Sequence, residues 1–407
     1  MLPSVSPGVL FGLGLLFVQA VLLSVLTLRL LPGRTRRPPL PPRLSPRDDT
    51  TVSVMVTTLN EAHRVGPCLE GLMQQTAPLL EVLVVDSRST DGTRELVQAA
   101  AARDPRIRLI TDDPLPQGWV GKVWALESGL REARGTWVLG IDADTVPAPG
   151  MVGAVVDAAE QDGYDVASFA PQFIGQTAAE RFVQPAMLVT LVYRCGAAGA
   201  TQPPPDRVLA NGQCFLARRE LLLQHGGYAP ARASFSDDVT LARHLARHGA
   251  RVGFLDGSRL IQVSAYRSLG EMWREWGRSF DLKDATGWWL RWFDVCLVWL
   301  VQALPLTILL ALLVTWRAGV WSPTGSDLAS RVGTGLLIVN AVAQSLRWFM
   351  LWALRGSYGT RGLSYWASWL ADAAAAWRLT QSTLKTPTAW RGRKYEPLSA
   401  TASGVGT

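Results

Sequence analysis

Between residues 51 and 265 strand-like and helix-like segments alternate, and this alternation limits the possible fold more than any other feature. The predicted elements are strands at 52–57, 81–86, 107–110 and 137–141, and helices at 65–75, 93–102 and 120–134. Such an alternation predicts an α/β domain, a mostly parallel sheet with helices on both faces. No Gly-x-Gly-x-x-Gly follows the first strand and no P-loop is present, which disfavours dinucleotide-binding and P-loop folds.

The most informative motif is Asp142-Ala143-Asp144, which follows the apolar run 137–141. Two carboxylates one residue apart at the end of a strand point to the same side of the sheet. They also lie at the carboxyl edge, where open α/β sheets bind ligands. Hard oxygen ligands suit Mg²⁺ or Mn²⁺ carrying a diphosphate. The motif therefore predicts a metal site at Asp142 and Asp144, and a simple turn after a strand is the alternative.

Further polar groups follow predicted strands or open predicted helices. Asn60-Glu61 follows the first strand, and Asp86 ends the second, before a loop in which Asp91 has the pattern of a helix cap. Lys122 opens a helix, where backbone amides and a cation can bind a phosphate; a solvated lysine is the alternative. These positions predict a ligand site along one edge of the sheet.

Asp237-Asp238 opens a later helix, and two explanations remain open for this pair. Acidic residues at a helix N-terminus are favourable electrostatically, so the pair fits a simple cap. A carboxylate there also fits a general base that deprotonates an acceptor hydroxyl. On the same helix, His244 and His248 are four residues apart, and the sequence favours a solvated face over a zinc pair because a zinc protease's glutamate is missing.

The N-terminal segment contains no charged residue before Arg29, and residues 8–28 are long enough to span a bilayer. It lacks a basic start and a clear cleavage site, which favours an anchor over a removed signal peptide. A stretch rich in arginine and proline follows at 32–50, and the positive-inside rule predicts that this linker lies in the cytoplasm.

Three more apolar stretches follow the α/β region, at 295–316, 332–354 and 363–377. The second contains Arg347, which must face protein or snorkel because a charge in lipid is costly. The third contains Asp372 and fits either a span or an interfacial helix. Because the basic residues after 384 predict a cytoplasmic C-terminal segment, three spans and one interfacial helix are favoured over four spans.

The composition favours a membrane partner. Net charge is +7, and 14 of the 17 tryptophans follow residue 272. We find no nucleic-acid-binding motif, and the arginines cluster beside apolar stretches, so an anionic membrane surface is favoured over nucleic acid. Tryptophan prefers the headgroup level, which predicts interfacial helices at 266–292, with an ordinary amphipathic core helix as the alternative. The four cysteines have no paired spacing and are expected to be reduced.

In their order and spacing, the motifs from Asn60-Glu61 to Asp237-Asp238 resemble family 2 glycosyltransferases of the GT-A fold, over residues 52 to about 280. The resemblance implies inverting transfer of a sugar from a nucleotide-diphosphate donor, with UDP-hexose favoured and Mg²⁺ or Mn²⁺ as cofactor. The implied donor ligands are Asn60, Glu61, Asp86, Lys122 and Asp142, and the implied metal ligands are Asp142 and Asp144. Asp238 would be the base, but Asp237 replaces the family's usual glutamate, so either carboxylate can hold that role.

Other segments indicate which branch of the family the chain resembles. Glu275-Trp276-Gly277-Arg278-Ser279 departs at both ends from the Gln-x-x-Arg-Trp signature of processive synthases, which disfavours processive synthesis. Gly118-Trp119-Val120-Gly121-Lys122, Gly226-Gly227-Tyr228 and the segment 390–395 resemble bacterial enzymes that glycosylate membrane lipids, such as carotenoid or hopanoid glycosyltransferases. The residues expected at the acceptor or membrane side are Asn211, Gln213, Trp273, Trp276 and Arg278.

We therefore expect an inner-membrane, multi-pass lipid glycosyltransferase with a cytoplasmic catalytic domain. The alternatives are a polyprenyl-phosphate sugar synthase, a small processive polysaccharide synthase, and a non-catalytic membrane scaffold with a transferase fold. The expected organisation is an anchor at 1–31, a linker at 32–50, a GT-A domain at 51–265, interfacial helices at 266–292, spans at 293–316 and 332–354, an interfacial or re-entrant helix at 363–384, and a basic cytoplasmic tail at 385–407.

Overall fold

The structure is a computed structural model that describes residues 6–200, 204–264, 266, 268–385, 389–390 and 393–394. The predicted C-terminal tail lies mostly outside the described residues. The strands are β1 Val52–Thr58, β2 Leu79–Asp86, β3 Ile107–Thr111, β4 Trp137–Asp142, β5 Thr145–Pro147, β6 Val166–Ala170, β7 Gln172–Phe173, β8 Cys214–Arg218, β9 Val252–Asp256, β10 Ile261–Val263, β11 Ala389–Trp390 and β12 Arg393–Lys394.

The α-helices outnumber the strands that form the main sheet. They are α1 Pro7–Leu30, α2 Val65–Met73, α3 Thr93–Arg103, α4 Gly121–Glu132, α5 Met151–Gln161, α6 Ala178–Cys195, α7 Arg219–Gln224, α8 Asp237–Arg247, α9 Leu269–Ser279, α10 Trp288–Val298, α11 Pro305–Arg317, α12 Leu328–Ala353, α13 Leu363–Trp366 and α14 Asp372–Leu384. A π-helical segment, Trp299–Ala303, follows α10.

Seven strands form the main sheet, in the order β3-β2-β1-β4-β8-β6-β9. The four strands predicted from the sequence are neighbours and run parallel. The antiparallel strand β8 lies between β4 and β6 and was not predicted. A small sheet, β5-β10-β7, lies beside the end of β4. The predicted fold class, a mostly parallel sheet between helix layers, is confirmed.

Both faces of the main sheet are buried, which explains why its strands are apolar throughout. Side chains alternate along β1, so that Val54 and Val56 pack beneath α2, α3 and α5, whereas Met55 packs beneath α4, α7 and α8. All three side chains are inaccessible to solvent. The two layers hold the carboxyl ends of the parallel strands at one common edge.

The remaining long helices form a second apolar cluster. Buried residues of α1, α6, α9, α10, α12 and α14 pack together there. Two helical segments of the described chain, Pro7–Thr35 and Leu328–Ser357, are long and apolar enough to cross a membrane. The stretch predicted as a span at 293–316 lies in a broken pair of helices, Trp288–Ala303 and Pro305–Arg317, bent by 49°. If that pair counts as one span, it and the two long helical segments give the predicted three spans. The number of spans stays a prediction.

Arg347 faces protein inside the helical cluster, which is one of the two placements that the sequence left open. Its side chain is 1% exposed, and its Nε lies 2.8 Å from a carboxylate oxygen of Asp372. Gln302 donates a further hydrogen bond of 3.0 Å to Asp372. The ion pair explains why the apolar stretches 332–354 and 363–377 can each contain one charged residue. The two charges face each other and not the lipid.

The tryptophan-rich stretch 266–292 divides into two environments. Trp276 is buried in the helical cluster and contacts Phe280, so α9 behaves as the amphipathic packing helix of the alternative prediction. Trp288 and Trp289, at the start of α10, are 70% and 62% exposed. Only this second group has the exposure that an interfacial helix requires.

The linker between α1 and β1 is bound to the α/β domain. Arg43 forms an ion pair with Asp157, and Arg47 contacts Asp157 and Glu160; both acidic residues belong to α5. The backbone amide of Leu40 donates to the carbonyl of Asp256 over 3.0 Å. The predicted stiff basic linker is therefore a strap along the domain surface, which the sequence did not indicate.

Candidate active site

The predicted motifs meet at the carboxyl edge of the main sheet because the strand registers align them. Thr58, at the end of β1, is level with Asp86 of β2. On the other side of β1, Thr57 is level with Asp142 of β4. The segment after β1 therefore runs between the ends of its two neighbouring strands.

Asp86 organises the loop after β2 from a fully buried position. Its carboxylate accepts hydrogen bonds from Thr58, from the Ser89 hydroxyl and amide, and from Arg94 over 2.9 Å. Asn60 adopts a positive φ of 57° and accepts the amide of Thr90 over 2.9 Å. Direct donor binding by Asn60 and Asp86 stays a prediction; in this structure both hold the loop that bounds the site.

Lys122 lies where the sequence predicted, in the first turn of α4. Its Nζ is 2.6 Å from an oxygen of Asp142. Burial alone lowers the pKa of Lys122, but the charges of Asp142 and Asp237 outweigh burial and raise it above its ordinary value. Lys122 is therefore a permanent cation at a helix N-terminus, an arrangement that suits a phosphate group.

Asp144 and Glu61 share a basic partner that the sequence analysis missed. Arg64 lies 3.0 Å from Glu61, 3.6 Å from Asp144 and 3.8 Å from Glu271 on α9. Arg64 lies at the start of α2, four residues after Asn60. Nothing in the surrounding sequence distinguishes it from an ordinary surface arginine. The contacts join the edge of the sheet to the helical cluster.

The predicted pair Asp237-Asp238 begins α8. One carboxylate oxygen of Asp238 accepts the amide of Gly212 over 2.6 Å, and the other accepts the amide of Val239 over 2.8 Å. A Cβ on Gly212 would lie 3.0 Å from Nζ of Lys122 and 3.5 Å from Asp238, so this glycine allows the two charged groups to approach. Burial, followed by the charge of Asp237, raises the pKa of Asp238 to about 7. A carboxylate with that pKa can exchange a proton near neutral pH.

A cavity of about 270 Å³ connects these groups. Asn211 and Gln213 both line it and hydrogen-bond to each other, with Asn211 Nδ2 donating to Gln213 over 3.0 Å. The polar lining includes Glu61, Arg64, Ser87, Lys122, Asp142, Asp144, Asn211, Gln213, Asp237 and Asp238. The apolar lining includes Phe173, Leu188, Leu191, Leu209, Phe254, Tyr266 and Trp276.

Some of the residues expected at the acceptor or membrane side line the cavity, and one does not. Trp276 and Arg278 of α9 line the cavity, and Arg278 pairs with Glu275. Trp273 is not among the lining residues; its ring lies 5.7 Å from the guanidinium of Arg378 on α14. The helices α6 and α9 carry part of the apolar lining and also pack in the helical cluster, so they link the cavity to the helices of spanning length.

The carboxylate pair suits a hard divalent cation. Asp142 and Asp144 present oxygens to one cavity from one strand end, beside the amides of a helix N-terminus. Mg²⁺ and Mn²⁺ favour such oxygen ligands, together with waters and substrate phosphates. The residues at this edge therefore fit a metal-bound diphosphate.

Comparisons with known proteins agree with this architecture. A mannosyltransferase of Pyrobaculum calidifontis, solved with GDP-Man and Mn²⁺, aligns with 91% of this chain and 99% of its own, at 20% identity and a TM-score of 0.51. That likeness concerns the fold. The chain therefore has the GT-A fold.

Comparisons of the sequence with a family model and with curated relatives indicate the family. Residues 53–226 match the family model described as glycosyl transferase family 2. An uncharacterized glycosyltransferase of Bacillus subtilis, EpsJ, is 28% identical over 231 residues, which are 54% of this chain and 63% of the relative. The succinoglycan biosynthesis protein ExoA of Rhizobium meliloti is 27% identical over 236 residues, which are 56% of this chain and 68% of the relative. The family match lies on residues 53–226, and together with these relatives it supports a family 2 glycosyltransferase.

Proposed function

We propose that this protein transfers one sugar from a nucleotide-diphosphate donor, UDP-hexose in the first instance, to a hydroxyl of a membrane lipid. The supporting observation is the cavity itself. It combines a carboxylate pair and a lysine for the diphosphate, an aspartate with a pKa near neutrality, and an apolar wall carried by α6 and α9. A lipid acceptor matches that wall better than a free sugar would.

The donor would lie along the carboxyl edge of the sheet. Asp142 and Asp144 would hold Mg²⁺ or Mn²⁺, which as a Lewis acid stabilises the charge of the departing diphosphate. Lys122 and the first amides of α4 would bind the same phosphate oxygens. Asn60, Glu61 and Asp86 would bind or position the nucleoside, as the family resemblance implies.

The transfer would be a single displacement. The acceptor oxygen forms a bond to the anomeric carbon while the bond from that carbon to the diphosphate oxygen breaks, so the anomeric configuration inverts. Asp238 takes the hydroxyl proton during the attack. Gly212 and Val239 hold the Asp238 carboxylate with their amides, which fixes its direction before the acceptor arrives.

Exposed apolar side chains support a membrane location. Phe11 and Phe17 on α1 are 74% and 70% exposed, and Trp348 and Trp352 on α12 are 51% and 53% exposed. Contiguous exposed apolar surface on a monomer marks a partner or membrane contact. We propose a multi-pass protein of the inner membrane, with the linker and the catalytic domain on the cytoplasmic side.

The test is mass spectrometry of lipids and pigments from cells that express the wild-type chain, Asp144→Ala, or Asp113→Asn as a control. Asp113 is exposed and does not line the cavity. We expect a lipid bearing one additional hexose in the wild type and the control that is missing in Asp144→Ala. Identical lipid profiles in all three strains would contradict the proposal.

A second candidate function is sugar transfer during polysaccharide assembly. It is favoured by one observation, the names of the relatives, since ExoA and ExoO of Rhizobium meliloti are both succinoglycan biosynthesis proteins. A polymer or a saccharide on a polyprenyl carrier, in place of a singly glycosylated lipid, would support this candidate. A polyprenyl phosphate acceptor needs no base, so activity that persists in Asp238→Asn would favour that reaction.

A further inference from the structure

We propose that His225, His244 and His248 form a binding site for a transition metal of the Zn²⁺ class, separate from the carboxylate pair of the active site. The chain has four histidines in total, and the structure brings three of them together. Their ligand atoms all lie within 4.8 Å of one another. The sequence favoured a solvated face for His244 and His248, and it gave no sign that His225 joins them.

Two elements build the cluster. His244 lies in the last part of α8 and His248 caps its C-terminus, so their spacing places both rings on one face, with centroids 4.3 Å apart. His225 caps α7, and its ring centroid lies 5.3 Å from that of His248. The amide of His225 donates to the carbonyls of Leu221 and Leu222, which fixes its backbone.

A hydrogen bond prepares one imidazole for metal binding. Nδ1 of His248 lies 2.8 Å from the carbonyl oxygen of His244. A carbonyl oxygen only accepts, so Nδ1 carries the proton and the lone pair of a neutral ring is on Nε2. Metal-ligating histidines commonly have this second hydrogen bond, which orients the ring and raises its basicity.

The ligand chemistry separates this site from the carboxylate pair. Imidazole nitrogens suit Zn²⁺, Ni²⁺ and Cu²⁺, whereas carboxylates and waters suit Mg²⁺ and Mn²⁺. Zn–N bonds of about 2.0–2.1 Å in tetrahedral geometry require nitrogens about 3.3 Å apart, a spacing that small side-chain rotations can reach from within 4.8 Å. His225 and His244 are partly exposed and His248 is exposed, which leaves a fourth position open to water.

Metal binding here would act on the active site through α8. Asp238 is six residues before His244, about 9 Å along the helix axis. On the other side, His225 precedes Gly226-Gly227-Tyr228, where the buried Tyr228 donates its amide to Glu127 of α4 over 2.9 Å. A bound metal would thus fasten the end of α7 to the helix that presents Asp238. We expect it to stabilise the domain and to leave the sugar donor's own metal in place.

The test uses the purified full-length chain with a non-histidine affinity tag, treated with chelator and kept in excess Mg²⁺ to saturate the carboxylate pair. Zn²⁺ is titrated by calorimetry into the wild type, His248→Gln and His225→Gln/His248→Gln. His63→Gln is the matched control, because His63 is the fourth, exposed histidine and is not in the cluster. We expect one tightly bound Zn²⁺ in the wild type and control, and at least about tenfold weaker binding in His248→Gln.

A second measurement requires no variant and so does not depend on the folding of the mutants. Co²⁺ added to the wild-type chain should give the intense visible absorption of a tetrahedral site, and Zn²⁺ should displace it. Wild-type chain that binds neither ion, or variants that bind Zn²⁺ as tightly as the wild type, would overturn the proposal and leave a cluster of stacked imidazoles. Because sugar transfer is not measured, these results are independent of the proposed activity.

Discussion

Replacing Asp238 by asparagine should abolish sugar transfer and at the same time stabilise the protein at neutral and alkaline pH. In the wild type, burial and the charge of Asp237 raise the pKa of the Asp238 carboxyl from 3.8 to about 7. The folded state therefore retains a proton that the unfolded state has already released. Its stability falls as the pH rises from about 4 to about 7, and asparagine, which cannot ionise, avoids that loss.

The expected gain in stability follows from the pKa shift of Asp238. About three pKa units correspond to at most about 4 kcal/mol, at 1.36 kcal/mol for each unit. The pKa of about 7 already includes the charge of Lys122, but asparagine has only one acceptor oxygen for the amides of Gly212 and Val239, so we expect a net gain of about 1–2 kcal/mol in Asp238→Asn. For a domain of this size, about 1 kcal/mol raises Tm by about 2–4 °C.

The assay is thermal unfolding in detergent at pH 4.5 and pH 8, with Asp113→Asn as the control for loss of one exposed carboxylate. We expect Asp238→Asn to unfold at a higher temperature than the wild type at pH 8, and the gap to shrink at pH 4.5. Transfer should fall by at least about 100-fold, the usual contribution of a general base. The reasoning is refuted if the variant is less stable than the wild type at pH 8, or if the difference in Tm between them is the same at both pH values.

Three further predictions concern the site and its supports. The kcat/KM of transfer should rise with pH up to about 7 and then level off, because the base must be deprotonated; a flat pH profile would exclude Asp238 from that role. Arg347→Met should destabilise the protein by about 3–5 kcal/mol, since it strands a buried charge, and adding Asp372→Leu should restore most of the loss in a thermal unfolding series. Gly277→Ala would place a Cβ against the guanidinium of Arg378, which must then move and lose its hydrogen bond to the carbonyl of Trp273; we expect a lower Tm, with the exposed Gly270→Ala as the unaffected control.

The sequence predicted the α/β layers because each strand of the parallel half is a short apolar run between helices. It also located the edge of the sheet at which Asp86 and Asp142 end their strands and Lys122 contacts Asp142, since parallel strands end together. Strand β8 escaped prediction because Cys214–Arg218 is short and has no alternation that distinguishes it from a buried helix segment.

Contacts between distant segments were beyond sequence reasoning. Arg64 joins Glu61, Asp144 and Glu271, but its neighbours in the chain give no sign of the helical cluster on which Glu271 lies. His225 is likewise 19 residues before His244, and only the packing of α7 on α8 brings their rings together. The bend after α10 was missed because the apolar composition of 293–316 continues unchanged through the π-helical segment.

The strap between α1 and β1 has a consequence for how the domain meets its acceptor. A flexible tether of that length would let the domain take many positions relative to α1. Ion pairs to Asp157, Glu160 and Asp256 remove that freedom, because they fasten successive points of the linker to the domain. The cavity mouth is then held at one depth and one angle relative to α1. For the lipid acceptor proposed above, the strap would fix the distance between the cavity and the membrane plane, and lipids whose reactive group stands at that distance would be selected.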